Sequence, residues 1–482
     1  MIAMRSWTVV ACLGGSIAPG VVAGQSLWQQ LGVGLGSGGP RCLLEDANED
    51  VLYISGAMTV AGDGTIIPGI SRWDGQSFQP MDCGFNWDCT PPINTSGMAN
   101  GGILTMAFWN GELYAGGDIY LINGEPAYNI ARWDGSAWQH LGTGLDGIVT
   151  RLHGYDDGLY ATGYFNTAGG QPAHGLARWD GTTWHNVFDF PLFGPTEVNL
   201  IHDMAWYNDE LYVGGNFGGD AASRDLVRFD GVQWSAVDNG IRGSFSLVNL
   251  LEVHDGLLYV AGAFAQSGVY GPADNPGCGI VTWDGEQWGT LGEGTCGSPN
   301  PTIYRMSWIQ DTLYVTGRFN TIGGVPTGRV AKWDGSRWCS LVPPGYFYPD
   351  IVALGSFRDT LIVGGSFTVA GPDSILRIAQ WVGGAYTSAC GTAVGFEEME
   401  RSEERLRLYP NPAHDRIGLI LNGAVIASAQ FSVANALGQV VLVGRTGQNG
   451  TVDVGGLASG CYALSVVDDT GGLAHTAQFI RQ

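Results

Sequence analysis

The residues able to perform acid–base or metal chemistry are few and follow no shared pattern. The chain has eight histidines among 482 residues. His153 lies seven residues before Tyr160. The positions seven residues before the corresponding tyrosines of three similar segments hold Ala107, Ala205 and Glu252 instead. A copper centre would need paired histidines together with other ligands at one point. We therefore expect no histidine-based metal site.

Catalytic motifs do not supply an active site either. The sequence has no HExxH, GxSxG, P-loop or Rossmann fingerprint in a suitable context. The acidic pairs at 156–157 and 468–469 fall in expected hairpin turns, where carboxylates are usually solvated. Neither an EF-hand loop nor an RTX nonapeptide supports calcium binding. We predict a protein that is not an enzyme and has no cofactor.

The first 23 residues have the layout of a secretory signal peptide. Arg5 precedes an apolar run from Trp7 to about Ala18, and small residues follow up to Ala23. A membrane anchor is one alternative, but this run is shorter than the ~20 residues needed to cross a bilayer. Lipidation at Cys12 is another. No later segment approaches that length, so we expect no transmembrane segment in the mature chain.

Composition favours a secreted all-β protein. The chain contains 77 glycines and only 14% charged residues, which indicates many turns rather than helices. Its formal net charge of −23 argues against nucleic acid and anionic membranes as partners, because both require clustered Lys and Arg.

Eight of the nine cysteines lie after the signal peptide, and an even number in an exported chain favours disulfides. We predict the pairs Cys83–Cys89 and Cys278–Cys296 from their spacing around short loops. Four further cysteines have no pairing that spacing can assign: Cys42, Cys339, Cys390 and Cys461.

Two motifs recur seven times in phase, 46 to 60 residues apart, from the N-terminal region to residue 381. One reads Trp-Asp-Gly, with a decayed seventh copy, AQWVG, at Trp381. The other reads LYxxGxF, and its glycine is expected to permit close approach of a neighbouring sheet. The WDG positions are Trp73, Trp133, Trp179, Phe229, Trp283, Trp333 and Trp381.

Each repeat unit predicts a four-stranded antiparallel sheet. An apolar strand leads through a turn to the LYxxGxF strand, and a variable loop leads to a third strand ending in WDG. Asp-Gly then forms a hairpin to a fourth strand that begins near the next aromatic residue, as Trp138 follows Trp133. We interpret these aromatic pairs as sheet core rather than as sugar-stacking platforms.

The fourth-strand motif also occurs at the N-terminus, as Trp28 to Leu35, before any complete unit. In a ring, that strand would complete the last sheet, although a strand at Tyr386 is an alternative. A linear solenoid would need capping repeats. We therefore predict a seven-bladed β-propeller over residues 24–392.

These repeats resemble kelch-like and delta-60-type propeller repeats of secreted proteins. The resemblance covers roughly residues 25–392 and implies architecture more than activity, because propellers host unrelated functions. Galactose oxidase uses such a fold, but we find no copper ligand set of its kind.

The acidic segment 393–405 is predicted to be a linker, and the pattern changes after it. Motifs starting at Leu406, Ala436 and Leu457 resemble the type A C-terminal sorting domain of the type IX secretion system. Alternating strands over 406–482 predict a small β-sandwich. The sorting-motif positions are Tyr409, Pro410, Asn411, Pro412, Gly438, Gly460 and Tyr462.

This resemblance implies export by the type IX machinery to the outer cell surface or the medium. We expect a binding or adhesion propeller that recognises a glycan or a protein through loops between second and third strands. The alternatives are a structural surface-layer component and a secreted enzyme, which would need a polar cluster in the channel; we find none. The expected recognition loops are 166–175, 218–224, 266–278 and 320–328.

Overall fold

A computed structural model describes most of the chain, and its described residues form strands and turns without a helix. Two compact units divide the chain between residues 394 and 395. The described residues are 27–81, 93–95, 102–122, 125–189, 200–217, 225–238, 240–243, 246–266, 275–371, 373–383, 389–390, 406–409, 413–421, 424–426, 429–435, 440–467 and 475–481. The predicted signal peptide, the acidic linker, Cys83 and Cys89 lie outside them.

The first unit contains seven antiparallel sheets, which we number 1 to 7 by the chain order of their first strands. The first strands are Pro40–Asp46, Gly102–Trp109, Ile148–Tyr155, Leu200–Tyr207, Leu247–His254, Thr302–Ile309 and Ile351–Phe357. The second strands are Val51–Gly56, Glu112–Ile122, Gly158–Tyr164, Glu210–Asn216, Leu257–Ala263, Thr312–Arg318 and Thr360–Gly365.

The third and fourth strands carry the aromatic residues of the WDG motif. The third strands are Ile70–Trp73, Ile130–Trp133, Leu176–Trp179, Leu226–Phe229, Ile280–Trp283, Val330–Trp333 and Ile378–Trp381. The fourth strands of sheets 1 to 6 are Phe78–Pro80, Trp138–Gln139, Trp184–Asn186, Trp234–Ala236, Trp288–Thr290 and Trp338–Ser340.

Sheet 7 takes its fourth strand from the N-terminal end of the unit. Trp28–Gln30 pairs antiparallel with the third strand, and Trp28 lies opposite Trp381. The alternative residue, Tyr386, lies outside the described residues. The first strands of successive sheets contact one another, and the first strand of sheet 7 contacts that of sheet 1.

An aromatic pair spans the third and fourth strands of every sheet, with ring centroids 4.8 to 5.4 Å apart. Trp28, Trp138 and Trp338 are fully buried. Such pairs contribute about 0.5–1.5 kcal/mol beyond the area they bury. Both members of the pair are buried in sheets 1 and 3, whereas both Phe229 and Trp234 of sheet 4 are only partly buried.

The WDG sequence builds the hairpin between the third and fourth strands. The Asp134 carboxylate accepts the backbone N–H groups of Ser136 and Ala137 at 2.9 and 2.8 Å, which lowers the pKa of Asp134 to about 2. The glycines of the six intact copies have φ between 91° and 102°, a conformation that favours glycine. In the seventh copy, Val382 takes the place of the aspartate, and its N–H donates to the Leu27 carbonyl beside the N-terminal strand.

The glycine of the LYxxGxF motif has a different neighbour from the one expected. A Cβ on Gly163 would collide with the carbonyl oxygen of Ile148, which belongs to the first strand of the same sheet. The other six copies meet the equivalent carbonyl of their own first strand. The nearest atom is therefore a carbonyl beside the β-bulge of the same sheet. The expected close approach of a neighbouring sheet is seen at two copies, because an added Cβ on Gly39 would lie 2.7 Å from the Gly365 carbonyl oxygen and one on Gly102 would lie 3.1 Å from the Gly56 carbonyl oxygen.

Three of the connections between second and third strands contain a short hairpin. Their strands are Thr167–Ala168 with Gln171–Pro172, Thr321–Ile322 with Val325–Pro326, and Val369–Ala370 with Asp373–Ser374. In sheet 2 the long second strand pairs with Ile93–Thr95 and Glu125–Pro126 instead.

Two disulfides lie among the described residues. The predicted pair Cys278–Cys296 is confirmed. Cys339 bonds Cys390, which sits directly opposite it on the added strand Ala389–Cys390 at the outside of sheet 6. Cys42 is a free thiol.

The second unit consists of two antiparallel sheets whose residues share one hydrophobic cluster. One sheet contains Leu406–Tyr409, Arg416–Leu421, Ala424–Val425 and Thr451–Asp453. The other contains Val440–Arg445, Gln430–Asn435, Gly460–Val467 and His475–Arg481. Within the described residues of the whole chain, no helix is long and apolar enough to span a membrane.

Candidate functional site

The first strands of all seven sheets line one cavity of about 470 Å³. Each of these strands contains a β-bulge at the same register, as between Val149 and Arg151 in sheet 3. A bulge changes the direction in which the neighbouring side chains point, so each bulge here determines the orientation of the residue that follows it. The seven residues that follow the bulges are Cys42, Thr105, Arg151, Asp203, Leu250, Arg305 and Ala353.

The next residue on each first strand is always leucine or methionine. These residues form an apolar belt in the wall of the cavity, next to the charged residues. The belt consists of Leu43, Met106, Leu152, Met204, Leu251, Met306 and Leu354.

Asp203 is buried in the cavity wall and contacts three neighbouring residues. His153 Nε2 lies 2.7 Å from its Oδ1, and the backbone N–H of Leu251 donates to its Oδ2 at 3.0 Å. Arg151 Nε lies 3.9 Å from Oδ2. Burial alone would raise the pKa of Asp203, but the charge and hydrogen bond of His153, helped by Arg151, hold it below its usual value. Asp203 is therefore a carboxylate at neutral pH.

Arg305 reaches from sheet 6 to sheet 1 across the cavity wall. Its Nη1 donates to the Tyr304 carbonyl and its Nη2 to the Arg41 carbonyl, each at 2.8 Å. Burial, reinforced by the charge of Arg151, lowers the pKa of Arg305 to about 9, which still leaves it protonated. Among the described residues, Arg305 forms no ion pair with a carboxylate within 4.0 Å.

Two further titratable groups complete this region. Burial and the charge of Asp203 raise the pKa of Glu252 to about 7. His202 is the unpaired residue of the bulge in sheet 4 and contacts the Tyr164 hydroxyl at 3.1 Å, and burial lowers its pKa to about 4. The described residues contain no group of three or more His, Cys, Asp or Glu side chains arranged to hold a metal ion.

This polar cluster was missed in the sequence. The comparison of His153 with Ala107, Ala205 and Glu252 used equivalent positions, since each lies opposite the tyrosine of its second strand. That comparison searched for a repeated histidine. A signal was present two residues earlier, where three of the seven equivalent positions hold the charged residues Arg151, Asp203 and Arg305 within otherwise apolar strands.

A second candidate surface, which we call the loop face, lies at the end of the sheets where second strands connect to third strands. Loops that follow the fourth strands lie at the same end, because Leu145 pairs with Ala168 and Phe347 with Ala370. Three tyrosines at this end are exposed: Tyr120, near the end of the long second strand of sheet 2, at 58%, Tyr128 at 50% and Tyr348 at 71%.

The predicted recognition loops are described in part. Loops 166–175 and 320–328 form tight hairpins with buried anchors such as Ala168 and Ile322. Loop 218–224 lies outside the described residues, as does most of loop 266–278.

The predicted sorting positions lie in the second unit, and part of them is described. Tyr409 ends its strand and Gly460 begins another. Tyr462 is buried, stacks on Phe479 with centroids 5.6 Å apart, and donates its hydroxyl to the Ala458 carbonyl at 2.9 Å. Pro410, Asn411, Pro412 and Gly438 lie outside the described residues.

Residues 407–480 match the family described as the secretion system C-terminal sorting domain. The second unit carries a type IX secretion sorting domain. This domain marks secreted and cell-surface proteins, so the protein is secreted to the cell surface.

Similarity to known proteins is weaker over the rest of the chain. PorZ, a surface component of the type IX secretion system of Porphyromonas gingivalis, is 14% identical with a TM-score of 0.33. The match covers 91% of this chain, which spans 65% of that one. The extracellular domain of the putative two-component system BT3049 from B. thetaiotaomicron is 10% identical over 92% of this chain and 72% of its own, with a TM-score of 0.28. No curated protein matches the chain.

Proposed function

We propose that the seven sheets are the blades of a kelch-like seven-bladed β-propeller. The motifs of both kinds occur seven times, and the first strands contact one another in a closed cycle. The N-terminal strand in sheet 7 supports ring closure, because it joins the two ends of the repeat region by backbone pairing. Such pairing explains how the array ends without capping repeats.

On this scaffold, we propose a non-catalytic binding or adhesion protein of the cell surface. The loop face recognises a glycan or a protein, and the exposed tyrosines Tyr120, Tyr128 and Tyr348 are the observation that carries this proposal. Tyrosine offers both an apolar ring and a hydroxyl, so it is enriched at recognition surfaces.

Ordered hairpins favour this role. The turn at Gly169 and Gly170 sits between paired strands, and Ala173 beside it is buried. A loop that is already ordered loses little conformational entropy when it binds a partner. Export by the type IX machinery would present this face outside the cell.

Binding of the full-length secreted protein to a glycan array and to intact cells tests the proposal. Replacing Tyr120, Tyr128 and Tyr348 together by serine is expected to weaken binding at least tenfold, since aromatic anchors dominate interface energies. Val232→Ser is the matched control, because Val232 is 85% exposed in a WDG turn at the opposite end of the third strand.

Two outcomes would count against the proposal. Equal binding by the triple variant and by Val232→Ser would remove the loop face from recognition. Lack of binding to every glycan and cell surface tested would favour the alternative of a structural surface-layer component.

A further inference from the structure

The cavity concentrates positive charge inside an acidic protein. Lys and Arg number 22 against 45 Asp and Glu in the whole chain. Arg151 and Arg305 nevertheless line the same cavity, and Arg41 lies close enough for its charge to lower the pKa of Arg305. Asp203 is the ionised carboxylate that faces these arginines, and His153 also contacts it.

Arg305 has donors to spare. A guanidinium carries five N–H donors, and the bonds to the Tyr304 and Arg41 carbonyls use two of them. A buried charge without an opposite charge is costly, and proteins normally pair such a group or use it to bind a ligand. Arg151 donates its Nη1 to the Thr150 carbonyl at 3.1 Å and lies 3.9 Å from Asp203, so further N–H donors of its guanidinium remain for a partner.

Glu252 does not remove this excess. Its raised pKa of about 7 leaves it partly protonated at neutral pH, because burial and the charge of Asp203 both oppose ionisation. The cavity therefore contains more cationic than anionic charge under ordinary conditions.

We propose that this cavity binds a small organic anion, whose carboxylate or phosphate group is held by Arg151 and Arg305. Guanidinium groups match the planar, two-oxygen geometry of carboxylates and the oxygens of phosphates. The belt of Leu43, Met106 and their counterparts packs against the uncharged part of the ligand. A volume of about 470 Å³ accommodates a molecule the size of an acidic monosaccharide.

His153 and Asp203 position the site. His153 contacts Oδ1 of the Asp203 carboxylate, and the Leu251 N–H donates to Oδ2. Together they hold this carboxylate in place beside Arg151. Arg151 is thereby oriented without being neutralised by a short, two-point ion pair. This site is distinct from the loop face, and neither proposal depends on the other.

Thermal shift and calorimetry on the full chain, with four probes, test the proposal. Glucuronate supplies a carboxylate, glucose 6-phosphate supplies a phosphate, glucose is the uncharged control of similar size, and inorganic phosphate tests for simple ion binding. One of the two sugar anions is expected to bind and raise the melting temperature, while glucose does not. The anion that binds identifies which of the two groups the arginines recognise.

Variants separate binding from folding. Arg305→Gln and Arg151→Gln are each expected to weaken binding at least tenfold. Arg305→Gln removes an unpaired buried charge, so the melting temperature without ligand should not fall. Arg337→Gln is the control, because Arg337 is exposed and pairs only with Asp334 in a WDG turn.

Three results would overturn the proposal. They are binding of glucose as tight as that of the sugar anions, binding of neither sugar anion, and undiminished binding by folded Arg305→Gln. Binding of inorganic phosphate as tight as that of glucose 6-phosphate would also overturn the assignment of an organic ligand.

Discussion

The charge state of the cavity depends on single residues placed by the backbone. Asp203 stays ionised although its side chain is 4% exposed, because His153 and the Leu251 N–H compensate for the loss of water. Glu252 lacks such partners, and its pKa rises to about 7. Two carboxyl groups on neighbouring strands thus differ in charge at the same pH because their hydrogen bonds differ.

Gly163→Ala is expected to destabilise the first unit. The added Cβ would collide with the Ile148 carbonyl at the bulge, and overpacking of this kind costs about 1–3 kcal/mol. Alanine lowers the entropy of the unfolded chain, which returns only about 0.4–1 kcal/mol. Urea unfolding measures the net loss.

Gly456→Ala is the control for this change. An added Cβ there has no atom within 4 Å, so stability should stay the same or rise slightly. Equal effects of the two substitutions would show that the bulge leaves room for a side chain at Gly163.

Asp225→Asn is expected to stabilise the protein more at pH 8 than at pH 5. Burial raises the pKa of Asp225 to about 7, although the Ser246 hydroxyl donates to its carboxylate. The folded pKa exceeds the unfolded value of about 3.9, so the stability contributed by the protonated form is lost as pH rises toward 7. Asparagine does not titrate and can still accept the Ser246 bond.

The predicted change is measured as a difference between two proteins. The free energy gained by Asp225→Asn should be about 3 kcal/mol larger at pH 8 than at pH 5, from linkage between those pKa values. Groups common to both proteins, including Glu252, cancel in this difference. A gain that is the same at both pH values would refute the raised pKa of Asp225.

Strand pairing in the repeats follows from local chemistry, which is why the sequence predicts it well. Asp134 and Gly135 fix a hairpin within a few residues, so strands and aromatic pairs can be placed from motif positions alone. The bulge has no comparable mark in the sequence. Its position emerges only when the strands are paired. The charges of Arg151 and Arg305 are visible in the sequence, but their meeting in one cavity depends on the bulges.

Sheet 7 is completed by pairing between residues 28–30 and 379–381, which are more than 300 residues apart in the chain. Trp28 is 1% exposed and contacts Phe347 and Trp381, with ring centroids at 5.2 and 5.1 Å. The hydrophobic cluster of this sheet includes Trp28 together with residues of sheets 6 and 7. The N-terminal strand therefore acts as part of the core.

Trp28→Ala is expected to cost about 3–5 kcal/mol, the usual range for removing a buried large aromatic side chain. Unfolding in urea provides the total, and hydrogen exchange at Ala379 and Trp381 locates the loss in sheet 7. Val33→Ala is the control, because Val33 is 41% exposed and should change stability by less than about 0.5 kcal/mol. Unchanged exchange in sheet 7 of the Trp28 variant would contradict the closing role of this strand.

On the scale of the whole molecule, the proposed binding surfaces and the sorting domain belong to separate units. The hydrophobic cluster of the second unit is built entirely from residues 408–479. The clusters of the first unit likewise use residues before 382. Each cluster of the described residues therefore lies within one unit, and we expect deletion of the sorting domain to leave the clusters of the repeats complete.

Deletion of residues 406–482 is expected to retain the protein in the periplasm. The sorting domain is the signal that directs the protein to the type IX machinery, while passage across the inner membrane depends on the predicted signal peptide. Cell fractionation and protease treatment of intact cells measure the distribution. Formation of the Cys278–Cys296 disulfide in the retained protein would show that the repeats folded, so that misfolding is not the cause.

A fusion of residues 406–482 to an unrelated periplasmic protein is the matched control, and it should reach the surface. Surface display of the truncated chain in normal amounts would contradict export through this domain. If the truncated chain is retained and the fusion is exported, the sorting domain is both necessary and sufficient. The repeats then contribute only what the exported protein binds, which is the division of labour that two independent cores allow.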